Sequence, residues 1–211
     1  MEVEPEAGLR QRRSVRLAEY DYGQVGAYYV TICTHNRSCL FGDVMNGTMV
    51  LNEIGQVVNE EWAYIELLRP RITLDEYVIM PNHLHAIVLI TNKVPPHDAR
   101  AAHVPISGEQ HQAQAVGRMR HDCENVWLTR PSSQTIGSII RGFKAATTSR
   151  LRTATHMPDL KVWQRNYYEH VVRDDADLYR IRDYINDNPL RWTEDEDNPA
   201  RAVLRGVTSV R

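Results

Sequence analysis

The chain holds no apolar run approaching the roughly 20 residues that a membrane-spanning helix needs, so nothing in it reads as a bilayer segment. Its N-terminus carries Glu2, Glu4, Glu6, Arg10, Arg12 and Arg13 with no apolar stretch behind them, which is not the pattern of a secretory signal. Cysteine is scarce. Cys33, Cys39 and Cys123 are odd in number and lack CxxC spacing, which argues against a disulfide framework or a zinc knuckle and fits a reducing cytosol. The glycosylation-like triplets Asn36-Arg37-Ser38 and Asn46-Gly47-Thr48 carry no meaning there. A net charge of −2 shows no overall excess of either sign. No internal repeat is visible. The 211 residues suit one domain, 1–211, able to bury an ordinary core.

Charge is nevertheless unevenly placed. Ser132 to Arg173 carries seven basic residues against two acids, whereas Asp174 to Asn198 carries nine acids against three arginines. Such asymmetry is compatible with a localised phosphate-binding face, and also with an ordinary solvated surface. Arg12, Arg13 and Arg16 form a basic arm, and Arg141 and Lys144 lie on a predicted helix away from its apolar stripe. All five are candidate contacts to a nucleic-acid backbone.

Residues 1–20 are polar and are expected to form a flexible arm. Ala27 to Thr34 is β-branched and aromatic and reads as a strand. Asn46-Gly47 inside Phe41 to Leu51 marks a hairpin. Ile54, Val57, Val58, Trp62 and Ile65 have helical spacing, with Asn52 as cap and Pro70 as terminator. Leu74 to Met80 and His83 to Thr91 read as strands. The Pro81-Asn82 break between them fits either a turn or a bulge in one bent strand. About 92–131 has four prolines, four histidines and little apolar periodicity, and reads as a loop insertion. Ser132 to Arg152 is a predicted helix with Ser132 or Ser133 as its cap. Lys161 to Val172 enters a strand, and Asp175 to Asn188 is a helix followed by Pro189. Helices interrupting strands singly point to an α+β domain with an antiparallel sheet.

The sharpest chemical signal is His83-Leu84-His85. In a strand, positions i and i+2 share a face, so two imidazoles stand side by side while Leu84 turns into the core. That is a two-ligand edge for a divalent cation. An HxH pair alone is also compatible with two polar residues on the wet face of a sheet. Tyr184 and Asn188 form a second cluster, because i and i+4 share a helix face. Alone, these two read as an aromatic at the core edge and a helix C-cap. Taken together, the four residues suit phosphodiester chemistry. A tyrosine can attack phosphorus and conserve the bond energy in a covalent link. Its ordinary pKa of about 10 makes it a weak nucleophile at neutral pH. A metal polarising a phosphate oxygen lowers the barrier, and two imidazoles with an amide oxygen suit Mg²⁺ or Mn²⁺.

The run Tyr77-Val78-Ile79-Met80-Pro81-Asn82-His83-Leu84-His85 resembles the His-hydrophobic-His motif of the HUH single-tyrosine transposases. Val162-Trp163-Gln164-Arg165-Asn166-Tyr167-Tyr168-Glu169-His170 resembles the segment that these proteins carry before the catalytic helix. Ile181-Arg182-Asp183-Tyr184-Ile185-Asn186-Asp187-Asn188-Pro189-Leu190-Arg191-Trp192 resembles that helix. Tyr20-Asp21-Tyr22 and Thr34-His35-Asn36-Arg37 fit as well. The resemblance is greatest to the REP-associated tyrosine transposases and covers roughly residues 14–195, apart from the insertion.

What the resemblance implies is a ferredoxin-like fold, with an antiparallel sheet carrying the histidines, helices packed on one face and the tyrosine on a late helix. It maps His83 and His85 onto metal ligands, Tyr184 onto the nucleophile and Asn188 onto the third, amide ligand. That ligand is often Gln in insertion-sequence enzymes. It implies a cytoplasmic, nucleoid-associated strand transferase acting on single-stranded DNA with hairpin or palindromic elements, through a 5′-phosphotyrosine link. It also allows a homodimer. Two alternatives stay open: a non-catalytic hairpin-binding regulator of DNA or RNA, and a metal-dependent phosphodiesterase that uses water. Tyr167 and Tyr168 rank below Tyr184 as nucleophiles because they lack the amide partner. Trp163 and the neighbouring tyrosines are candidates to stack on bases, although core packing is the commoner fate of a tryptophan.

Overall fold

The computed structural model describes residues 21–92 and 134–201. The expected arm 1–20, with Arg12, Arg13 and Arg16, lies outside the described residues, as does the insertion 92–131 beyond Asn92.

β1 (Gly26–Cys33) shows the alternation of a strand with two covered faces. Tyr28, Val30 and Ile32 are fully buried on one side, while Tyr29, Thr31 and Cys33 are half-buried on the other. A hairpin follows, β2 (Gly42–Met45) and β3 (Thr48–Leu51). Asn46 and Gly47 turn it with positive φ of 52° and 75°, as the Asn-Gly pair predicts. Asn52 then caps α1 (Glu53–Leu68), its Oδ1 accepting from Gly55 N–H at 2.9 Å. β4 (Ile72–Met80) and β5 (His83–Ile90) form an antiparallel pair in which Met80 faces His83. The Pro81-Asn82 break is therefore a turn between two strands. The irregularity lies instead between Leu74 and Tyr77 of β4, where the register slips.

After the insertion, α2 (Ile136–Thr155) is capped by Thr135, whose hydroxyl accepts from Ser138 N–H. Ser132 and Ser133, the expected caps, lie outside the described residues. β6 (Tyr168–Val171) pairs with β1, and α3 (Asp175–Asp187) begins at Asp174, which caps Asp177 N–H at 2.8 Å. The four-stranded antiparallel sheet runs β4-β5-β1-β6. With one helix after β1 and another after β5, this is the expected α+β, ferredoxin-like arrangement.

Its packing is two-sided. α1 and α2 cover one face, where Trp62, Phe143, Trp163 and Phe41 form a chain of ring contacts with centroids 4.9–5.3 Å apart. Trp163 thus belongs to the core and is closed to a base. α3 lies on the opposite face, where Ile181 and Ile185 meet Ile87. The expectation of helices on one face therefore holds for α1 and α2 only. β5 supplies the reason, since Ile87 and Leu89 make its second face apolar as well and that face must be covered.

The apolar contact under α3 is smaller than the main core, and polar pairs flank it. At the β4 irregularity Asp75 receives Arg182 Nε at 2.8 Å and a terminal guanidinium nitrogen at 2.5 Å. Burial pushes the Asp75 carboxyl up, but the bonds from Arg182 and from Glu76 N–H outweigh it and leave its pKa below the ordinary value. Near the helix start, His170 Nε2 meets Asp177 at 2.8 Å. Replacing Asp75 with Asn is expected to cost about 1–3 kcal/mol and to speed hydrogen exchange of α3 amides selectively. Unchanged exchange at Ile181 and Ile185 would show that the apolar contact suffices.

Gly55 gives a second prediction. A Cβ there would lie 2.1 Å from the Phe41 carbonyl oxygen. Gly→Ala inside an exposed helix normally stabilises by about 1 kcal/mol. Gly55→Ala is instead expected to lower stability by about 1–3 kcal/mol through overpacking, read as a reduced midpoint of thermal unfolding.

Candidate active site

β5 runs through the middle of the sheet, so its two histidines are buried rather than wet. His83 is wholly buried and His85 is 5% exposed, while Leu84 between them packs into the α1/α2 core. The ring centroids lie 4.4 Å apart. Burial drives the His83 pKa down to about 4 against the opposing pull of Asp195. Burial, with His83 beside it, holds His85 well below its ordinary value. Both imidazoles are therefore neutral at neutral pH and keep a lone pair for a cation.

Each ring is anchored through one nitrogen. Asn82 Oδ1 lies 2.9 Å from His83 Nδ1. Asn82 itself is fixed, since its amide nitrogen donates to the Arg37 and Asp197 carbonyls. His85 Nδ1 lies 2.8 Å from the Tyr29 hydroxyl and 2.9 Å from that of Thr31. These hydroxyls come from β1, where Thr31 is the cross-strand partner of His85. In both rings Nε2 is left as the nitrogen available to a ligand.

α3 brings the other two residues to the same place. The Tyr184 ring lies 5.2 Å from that of His85 and is 43% exposed. Burial and the charge of Asp195 raise its pKa, against smaller opposing effects of Asn188 and Arg191. Asn188 is almost fully buried at the helix end. Its backbone stays helical (φ −57°, ψ −43°) despite the following Pro189, which departs from the extended conformation that a proline favours before it. The helical conformation keeps its side chain on the Tyr184 face.

Two atoms here are anomalous. His83 Nε2 and Asn188 Oδ1 are buried without a hydrogen-bond partner, two of only five such side-chain atoms among the described residues. The Asn188 amide is near enough to raise the pKa of His83 and lower that of Tyr184, but its geometry to neither is that of a made hydrogen bond. Buried polar groups are seldom left so, and each costs about 1–3 kcal/mol. Among the described residues, no three His, Cys, Asp or Glu side chains gather into a metal-binding group.

The site opens into a cleft of about 390 Å³ whose lining includes Tyr29, His85, Tyr184, Arg37, Asn166 and Tyr168. Arg37 is ion-paired there with Asp197. Four expected site residues, His83, His85, Tyr184 and Asn188, are thus brought together. Lys144 differs from expectation. Its Nζ donates to the Gln164 and Asn166 carbonyls at 2.9 and 3.0 Å and lies 5.6 Å from the Tyr167 ring centroid, so it fastens the segment lining the cleft. Burial lowers its pKa to about 8. Arg141 is exposed on α2. Tyr29, Thr31 and Asn82 were not foreseen. The alternation of Tyr29, Thr31 and Cys33 marked a shared face, but only the pairing of β1 with β5 sets that face beside the histidines.

No helix among the described residues is long and apolar enough to cross a membrane. No family model matches the chain. A REP-associated tyrosine transposase bound to a REP hairpin is 17% identical, with a TM-score of 0.44, over 83% of this chain and 74% of that one. A protein of Deinococcus radiodurans described as a candidate transposase is 13% identical, with a TM-score of 0.42, over 81% of this chain and 94% of that one. At that distance neither likeness says what this chain does. An uncharacterized protein of Haemophilus influenzae is 40% identical over 195 residues, 90% of this chain and 94% of that protein. With such identity across nearly the whole of both, the chain belongs to the same family as the Haemophilus influenzae protein.

Proposed function

We propose that the protein is a metal-dependent strand transferase that cleaves and rejoins single-stranded DNA with Tyr184 as nucleophile. The observation that carries this reading is the pair of orphaned buried atoms, His83 Nε2 and Asn188 Oδ1, in a cluster where the His83 ring packs on His85 and the His85 ring on Tyr184. With His85 Nε2 they are three neutral donors of the kind that a small divalent cation takes, with room for phosphate and water. His83, His85 and Asn188 would hold Mg²⁺ or Mn²⁺, which when bound would polarise a phosphate oxygen and offset charge at phosphorus.

The chain's own residues do the rest. A neutral His85 with Nδ1–H directed at Thr31, whose hydroxyl donates in turn to Tyr29, keeps Nε2 unprotonated. Tyr184 is protonated at rest. On attack its Oη bonds to phosphorus as the P–O3′ bond breaks, its proton leaves to water on the exposed side, and the departing 3′ oxygen takes a proton from water to leave as a hydroxyl. The 5′-phosphotyrosine link that remains is reversed by a second 3′-hydroxyl, which restores the phenol. The neutral, partly apolar cleft with its paired Arg37 suits a single strand better than a rigid duplex. The motif order along the chain, which resembles that of the single-tyrosine transposases, supports the same reading, and hairpin-containing DNA is the substrate it favours. The solution mass of the chain with and without such DNA decides between monomer and homodimer.

The test is a denaturing gel of hairpin-containing single-stranded oligonucleotides drawn from the gene's flanks, with Mg²⁺ or Mn²⁺. Wild type should give a metal-dependent covalent adduct, and Tyr184→Phe should give none while retaining binding. Adducts retained in Tyr184→Phe would sink the assignment. Turnover without adducts that survives the substitution would indicate a phosphodiesterase using water, and binding without any cleavage would indicate a regulatory hairpin binder.

A further inference from the structure

Tyr168, the first residue of β6, is 46% exposed, and its hydroxyl has no hydrogen-bond partner among the described residues. Its neighbour Tyr167 is tied down, with its hydroxyl on Glu169 at 2.7 Å and Lys144 against its ring. The Tyr168 ring makes a T-shaped contact with Tyr29 at 6.2 Å between centroids, and Tyr29 makes another with Tyr184 at 6.4 Å. Tyr168 is therefore separated from the proposed nucleophile by one ring. With Tyr29 and Tyr184 it also lines two clefts. Beyond the larger one lies a second of about 240 Å³, lined by Tyr29, Tyr168, His170, Arg180, Ile181 and Tyr184. Such a contact engages at most one face of the Tyr168 ring, and the ring is nearly half in solvent. Arg37 and Arg180, which line the two clefts, are each paired with an aspartate, Asp197 and Asp177. What this edge strand offers is therefore the exposed ring itself, whose face suits a flat aromatic group.

We propose that Tyr168 is a stacking platform for an unpaired nucleobase, that of a nucleotide adjoining the phosphate presented to Tyr184. The inference rests on the strand-transfer reading for its choice of nucleotide. Ring stacking depends on the π-face and not on the hydroxyl, and it accepts any base. The platform would hold the strand in line past Tyr184 without selecting its sequence. It also assigns Tyr168 a role other than rival nucleophile.

The test uses the full chain and single-stranded hairpin oligonucleotides in which 2-aminopurine is walked through the unpaired positions. Binding is followed by anisotropy, and stacking by quenching of 2-aminopurine fluorescence. Wild type should quench at one or two adjacent positions. Tyr168→Ala should lose that quenching and bind about 5- to 100-fold more weakly, with an unchanged unfolding midpoint because the ring is half in solvent. Tyr168→Phe should restore both. Wild-type affinity and quenching in Tyr168→Ala, or a Tyr168→Phe variant as poor as Tyr168→Ala, would overturn the proposal. The adduct gel reads the chemistry separately. Tyr168-dependent quenching without adducts would keep the platform and fail the strand-transfer reading. Adducts without quenching would do the reverse, and no binding by wild type would fail both.

Discussion

Two buried polar atoms with nothing to bond to are the constraint around which the rest of the molecule is arranged. His83 Nε2 and Asn188 Oδ1 come from different elements, a central strand and the end of the last α-helix, yet they are orphaned in the same small space. Each carries a desolvation cost that the apolar core must offset. Neutral imidazoles reduce that cost, because burial keeps both histidines unprotonated. Had either been charged, the centre of a sheet covered on both faces would be a prohibitive place for it. The donors are thus poised by their surroundings to accept positive charge from outside, and His83, His85 and Asn188 themselves bring none.

The surrounding structure fixes the donors in place. The Pro81-Asn82 turn holds His83 through Asn82 and holds Asn82 through two carbonyls. β1 holds His85 through two hydroxyls on one face while its other face packs into the main core. α3 is attached differently. Its apolar contact is smaller than the main core, and polar pairs stand at either side of the Ile181–Ile185 stripe. The histidine half of the site is therefore built into the rigid sheet, and the tyrosine half is carried on an element held by a smaller apolar cluster and the polar pairs that flank it. Such a division suits the role proposed for Tyr184, which would meet a strand of DNA and afterwards carry it.

Much of this was legible in the sequence, for identifiable reasons. The β-branched and aromatic run Ala27 to Thr34 and the period-3.6 spacing from Ile54 to Ile65 specify elements by themselves. The i+2 spacing of His83 and His85 and the i+4 spacing of Tyr184 and Asn188 specify two faces. What local pattern could not supply was depth and adjacency. The histidines looked compatible with a wet sheet face, and only the coverage of β5 from both sides buries them. Lys144 looked like a free cation on a helix surface, but the 161–167 segment crosses it and binds its ammonium with two carbonyls. Tyr29 and Thr31 looked like ordinary strand residues until β1 paired with β5. The irregularity in β4 carries no proline or glycine signal, and Asp75 marks it only once Arg182 is seen to reach it.

The central claim is that the orphaned atoms form a divalent-cation site. It is tested most directly by titrating Mn²⁺ into metal-free wild type and Asn188→Leu, with calorimetry for affinity and thermal unfolding for stability. The account predicts opposite signs. Asn188→Leu should bind Mn²⁺ at least about 10-fold more weakly, yet be no less stable than wild type without metal, because an apolar group replaces an unsatisfied one. Equal Mn²⁺ affinity in the two proteins, or no Mn²⁺ binding by wild type, would contradict it.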